Sequence, residues 1–212
     1  MKTPLTIAVA KGYLMAESLA LFAKAGVVFE DDLSTSRKLF TLSTDGRIRL
    51  LQVRPWDVPA YVAQGAAELG IVGRDVLLEQ TPPVIQLLDL KFGVCSLVIA
   101  GPDPGLDLNS FSHLKVATKY PHSAQHYFAA KGIKAQLLKL YGAIELAPLT
   151  GLSDVICDLT ATGATLRENQ LHVVDTVFTS SAHLVANPVG FKCRYEEVMA
   201  WVVALGEGVV HV

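Results

Sequence analysis

Val155-Ile156-Cys157-Asp158-Leu159-Thr160-Ala161-Thr162-Gly163-Ala164-Thr165-Leu166 reads as a buried strand, an acid at its end, and a turn rich in threonine and glycine. Strand, turn and helix in that order are the repeating unit of an α/β fold. The turn also suits a sugar phosphate. At the carboxyl end of a strand its backbone N–H groups can converge on an anion, the threonine hydroxyls add donors, and Gly163 permits close approach. Ionised Asp158 only accepts hydrogen bonds, so it can take them from two neighbouring ribose hydroxyls. Taken alone, the same stretch reads more readily as an ordinary strand-to-helix connection with Thr162 or Thr165 as N-cap.

Outward from this stretch the alternation continues. Leu5 to Val9 reads as a strand and Leu14 to Ala25 as a helix with Leu19 and Phe22 on its inner face. Lys38 to Ser43 and Ile48 to Val53 form a hairpin around Thr44-Asp45-Gly46-Arg47, where Asp-Gly supplies the positive φ of a tight turn. Asp57 stands at an N-cap position with Pro59 in the first turn of the next helix, and Gly73 starts another after the strand Leu69 to Val72. A second series of strands follows: Val94 to Ala100, Leu114 to Thr118, Lys134 to Leu138, Val155 to Leu159 and Leu171 to Val177. The last helix, Tyr195 to Leu205, carries Val198, Met199, Trp201 and Val202 and is expected to pack back on the first lobe. Two α/β lobes fit this order, one from residues 1–92 plus 180–212 and one from residues 93–179.

Composition narrows the function classes. The 212 residues suffice to bury a real core, and 51% are hydrophobic. Every apolar run nevertheless stops short of the roughly 18 residues that cross a bilayer. The start at Met1-Lys2-Thr3-Pro4 leads into a buried strand rather than a secretory signal, so a cytoplasmic protein with no membrane partner is expected. A net charge of -2 without any basic run leaves no electrostatic footprint for nucleic acid. Cys95, Cys157 and Cys193 are odd in number and widely spaced, which argues against disulfides and zinc and for buried thiols. His122 and His126 share a helix face without a third ligand and read as a solvated or capping pair. Trp56 and Trp201 read as packing residues.

Reading back from the decisive stretch, Glu145, Gly151, Ser153, Ile156, Asp158, Thr162, Gly163, Thr165 and Leu166 complete a long pattern that resembles the signature of ATP phosphoribosyltransferases. Ala10-Lys11-Gly12, Ser36-Arg37-Lys38-Leu39, Arg54 with Asp57-Val58-Pro59, Gly70 to Leu77, Ala117-Thr118-Lys119-Tyr120 and Lys139 to Gly142 resemble further blocks of that family, in its order. The length resembles the short form, which lacks a C-terminal regulatory domain. The resemblance implies a fold like type II periplasmic binding proteins, with a ligand cleft between two lobes. It implies that phosphoribosyl pyrophosphate (PRPP) lies on Glu145, Asp158, Leu159, Thr160, Ala161, Thr162, Gly163, Ala164 and Thr165. N1 of ATP then attacks the anomeric carbon and expels pyrophosphate, in the first step of histidine biosynthesis. Lys11, Arg37 and Arg54 are the cations in matching blocks that would stabilise the leaving group; an arginine fork donates two hydrogen bonds to phosphate oxygens at once. Glu145 would position ribose or magnesium. Mg2+ would be held mainly through pyrophosphate, with no dedicated protein cage. A homodimer, joined by a regulatory subunit similar to histidyl-tRNA synthetase, is implied as well. Tyr13 departs from the family, which often has arginine after Lys-Gly. The competing reading is a bilobal module that binds a small anion without chemistry, which fold alone does not separate from an enzyme.

Overall fold

The computed structural model describes residues 3–210; Met1 and Lys2, with which the N-terminal reading begins, and the last two residues lie outside the described part. Along the chain, β1 (Leu5–Ala10) leads into α1 (Tyr13–Lys24), followed by β2 (Phe40–Leu42) and β3 (Ile48–Val53). Next come α2 (Val58–Ala63), β4 (Leu69–Gly73), α3 (Arg74–Gln80) and β5 (Ile85–Asp89). The second series is β6 (Cys95–Gly101), β7 (Leu114–Thr118), α4 (Pro121–Ala130), β8 (Ala135–Lys139), α5 (Leu146–Leu149), β9 (Val155–Thr160), α6 (Ala164–Glu168) and β10 (His172–Ser180). The chain closes with β11 (Ala182–Ala186), α7 (Pro188–Cys193) and α8 (Tyr195–Val210).

Two compact units result. The first holds residues 3–77, 81–93 and 181–210, and the second holds Leu78–Gln80 with Val94–Ser180. The sheet of the first unit runs β2-β3-β1-β4-β11-β5. Its middle strands, β1 and β4, are almost wholly buried, as the uninterrupted aliphatic runs Leu5 to Ala10 and Leu69 to Gly73 require of strands covered on both faces. Phe22, Met15, Leu33, Val58 and Val62 pack against them. α8 closes this core with Val198 and Leu205, and Trp201 meets Phe22 edge-on at 6.3 Å, so the last helix packs as the sequence leads one to expect. The β2–β3 hairpin turns where Asp-Gly predicts: Gly46 has φ 69°, and Asp45 accepts from Ser43 Oγ at 2.7 Å and from the Arg47 N–H at 2.9 Å.

The sheet of the second unit runs β10-β6-β9-β7-β8, with β9 in its centre, antiparallel to β6 and parallel to β7. Val98, Ala100, Ala117 and Ile156 on one face meet Ile144, Ala147, Leu166 and Leu171. Leu166 therefore anchors α6 beneath the turn that follows β9.

Three sequence expectations change. Cys193 is exposed, because it ends the short helix α7, while Cys95 and Cys157 are buried. Of Lys38 to Ser43, only Phe40–Leu42 pairs as a strand. Asp57 occupies the N-cap position of α2 but makes no side-chain cap bond, because Pro55–Asp57 already forms a 3-10 turn leading into the helix.

Candidate active site

The second unit holds Glu145 and the stretch from Asp158 to Thr165. Main-chain pairing fixes Asp158 on β9 opposite Val98 of β6, and its carboxylate accepts the N–H of Leu159 at 2.8 Å. The turn after β9 is braced by its own threonines. Thr160 Oγ1 takes the Gly163 N–H at 2.9 Å, and Thr162 Oγ1 takes the Ala164 N–H at 3.3 Å. Arg167 Nη1 donates to the Thr162 carbonyl at 3.0 Å. Gly163, not a threonine, is the N-cap of α6, and its φ of 71° is one that a side chain would strain. Thr162 and Thr165 thus do not serve as the ordinary N-cap that the bare motif suggests; the turn bends through the left-handed region instead.

A cavity of about 180 Å³ opens on this turn, lined by Glu145 and every residue from Asp158 to Leu166. It is smaller than the roughly 300–1,000 Å³ of pockets for drug-sized ligands and polar in lining, which suits a small, hydroxyl-rich group. All nine residues assigned to PRPP from sequence lie around it; Leu166 is the addition, a floor supplied by the core.

Burial pushes the Asp158 carboxyl up to about 6; the Leu159 N–H opposes that rise, the Glu145 carboxylate adds to it, and Lys119 counters it. The neighbouring Cys157 thiol is pushed up to about 12, chiefly by burial, so it is a packed hydrophobe and not a nucleophile. His122 and His126 stack their rings at 4.5 Å on α4, and the His122 N–H is held by Glu79, whose carboxylate also accepts from Ser123.

The first unit carries the three cations. Ala10 and Val53 are in register at the carboxyl ends of parallel β1 and β3, so Lys11 and Arg54, one residue on, are brought side by side. The Lys11 N–H donates to the Val53 carbonyl at 2.7 Å and fixes that junction. Arg37 lies in the irregular run before β2, where the Leu39 carbonyl accepts the Gln52 N–H and leads the chain in beside β3. All three side chains are exposed, as is Tyr13.

The fold by itself defines a class. Residues across 99% of this chain superpose on 73% of the periplasmic aliphatic sulphonate-binding protein SsuA of Escherichia coli with a TM-score of 0.65 at 16% identity. The architecture is therefore that of the type II periplasmic binding proteins. The chain belongs to the ATP phosphoribosyltransferase family, whose members described as HisG match it over residues 54–207. It is 46% identical to the ATP phosphoribosyltransferase of Geobacter metallireducens over 92% of this chain and 93% of that one. It is 42% identical to that of Caldanaerobacter subterraneus subsp. tengcongensis over 95% and 96%. Its structure matches the ATP phosphoribosyl transferase (HisG:HisZ) complex from Thermotoga maritima with a TM-score of 0.83 and 36% identity, covering 98% of this chain and all of that one.

Proposed function

We propose that this chain transfers the phosphoribosyl group of PRPP to N1 of ATP, giving phosphoribosyl-ATP and pyrophosphate, the first step of histidine biosynthesis. The observation that carries the reading is the Asp158-to-Leu166 cavity in a chain of this family. In the proposed complex the turn cradles the 5-phosphate, Asp158 and Glu145 accept from the ribose hydroxyls, and Lys11, Arg37 and Arg54 neutralise the departing pyrophosphate. Asp158 stays a carboxylate throughout, because only the ionised form accepts from both hydroxyls. Magnesium would accompany PRPP without a dedicated set of protein ligands, and would supply neutralisation of the charge on the departing pyrophosphate. The binding-module alternative has no specific observation in its favour.

The proposal extends to assembly. The chain works as a homodimer with a regulatory subunit of the kind named in the Thermotoga maritima complex, in the cytoplasm; no helix among the described residues is long and apolar enough to cross a membrane. Histidine then acts through that subunit and inhibits the isolated chain weakly or not at all.

The test mixes the purified chain with ATP, PRPP and magnesium, removes pyrophosphate with pyrophosphatase, and looks for phosphoribosyl-ATP by mass spectrometry. Product that disappears when PRPP is omitted supports the reading. No product, with and without the regulatory subunit, moves the assignment to a small-anion binding module.

A further inference from the structure

The nine sequence-assigned residues around the cavity include no lysine or arginine, yet the charge of Lys119 acts on the Asp158 carboxyl that lines it. Lys119 follows β7 directly. On β7 and β9, Ala117 is in register with Ile156 and Thr118 with Cys157, so Lys119 is level with Asp158 on the adjacent parallel strand, roughly 5 Å away between backbones. Side chains alternate along a strand, and Ala117 and Ile156 share one face of the sheet. Asp158, two residues past Ile156 in β9, therefore leaves the sheet on that same face, and Lys119, in the bend that follows β7, stands beside it.

The junction is pinned on both sides of the lysine. The buried Thr118 hydroxyl donates to the Cys157 carbonyl at 2.6 Å and accepts the Tyr120 N–H at 2.8 Å, so the backbone around Lys119 is tied to the residue just before Asp158. We propose that Lys119 is a positioning residue of this site, set by the β7–β9 register to pair with Asp158 and keep its carboxylate in the charged form that accepts from a sugar diol. This rests on the reading of Asp158 as the ribose acceptor. The groups around Asp158 are few. Glu145 opposes Lys119 from the approach to α5, Val98 faces Asp158 from β6 without charge, Cys157 is protonated, and Glu79 is close enough to act on Cys157. Arg167 is engaged with the Thr162 carbonyl. Among the described residues, Lys119 is the cation that holds the Asp158 carboxyl down by charge.

The test reads Asp158 directly. Chain labelled with 13C at aspartate carboxyls is titrated by NMR, with D158N identifying the resonance. K119M is expected to raise the Asp158 midpoint by about one pH unit, the low end for an opposite charge at this range because Lys119 is half-buried. K119R is expected to return it to within a few tenths of the original. In activity, the KM for PRPP of K119M then rises about fivefold at pH 6 and approaches that of the parent above pH 8, with kcat little changed. An Asp158 midpoint that K119M leaves in place overturns the proposal, and K119Q repeats the reading should K119M fail to fold. If PRPP proves not to be a substrate, the carboxyl titration still decides whether Lys119 governs Asp158, so the two readings fail separately.

Discussion

In the second unit, Glu145 and Asp158 sit in a walled cavity whose turn is braced by Thr160, Thr162 and Arg167, whereas in the first unit Lys11, Arg37 and Arg54 end in solvent. Asp158, Lys11 and Arg54 stand at or just past the carboxyl ends of strands with parallel neighbours, where α/β sheets place ligands. The contrast follows from charge. A carboxylate that must recognise hydroxyls gains from a dry, fixed setting, and some stability is given up to hold it there. Long cationic side chains tolerate solvent and contribute through reach. On the proposed reading the second unit is a preorganised receptor, and the first supplies solvent-facing counter-charges.

The sharpest way to break that contrast is Asp158→Ala. The KM for PRPP is expected to rise a hundredfold or more, with circular dichroism unchanged; an unaltered KM removes Asp158 from the site. Next in size, Arg54→Ala and Arg37→Ala should each lower kcat/KM about 10- to 100-fold, the loss of one charge-assisted hydrogen bond of about 1.5–3 kcal/mol. Steady-state kinetics showing less than a twofold change would make them solvated surface arginines. Gly163→Ala tests preorganisation itself. The added Cβ would stand 3.0 Å from Arg167 Nη1 at φ +71°, at a cost of about 1–2 kcal/mol, and PRPP affinity measured by calorimetry should fall about tenfold.

The stability side of the contrast has a definite sign. Asp158 titrates near 6 in the folded chain against 3.8 for an ordinary aspartate, so the folded state holds a proton that the unfolded state releases between those values. Stability is therefore lost as pH rises through that window, and the penalty is complete above it. Asp158→Asn should then unfold at a temperature several degrees above the parent at pH 8, and close to that of the parent at pH 4, a gain of about 3 kcal/mol at the higher pH. Equal melting temperatures at pH 8 would mean that burial imposes no strain on the charge. The smallest effect is expected from Tyr13→Arg, which supplies the guanidinium that the family resemblance leads one to expect after Lys11-Gly12 and should lower the KM for PRPP only a few-fold.

Much of this was legible in the chain. The short apolar runs located β1, β3, β4, β7 and β9 within a residue or so, and Asp45-Gly46 marked its hairpin, because these signals are local. The strands β5 and β11 were not read. Ile85–Asp89 is half-buried with a weak pattern, and Ala182–Ala186 is a short run lying just after β10 with one residue between them. The turn after β9, proposed to hold PRPP, was legible as a polar strand-to-helix turn because its residues are contiguous. Lys119 was quoted within a block but given no role, since its level with Asp158 depends on which strands become neighbours, and register across 39 residues of chain is not written in either strand.

The order of the first sheet has a consequence for how the protein is made. β11 lies between β4 and β5, yet it emerges from the ribosome after the whole of Val94–Ser180. The second unit can complete its own sheet during synthesis, while β4 and β5 wait for a strand more than ninety residues downstream. Until then the nascent first sheet presents two unmatched edges, which chaperones recognise and aggregation exploits. Cotranslational protease protection should accordingly appear first in the unit that holds the PRPP turn.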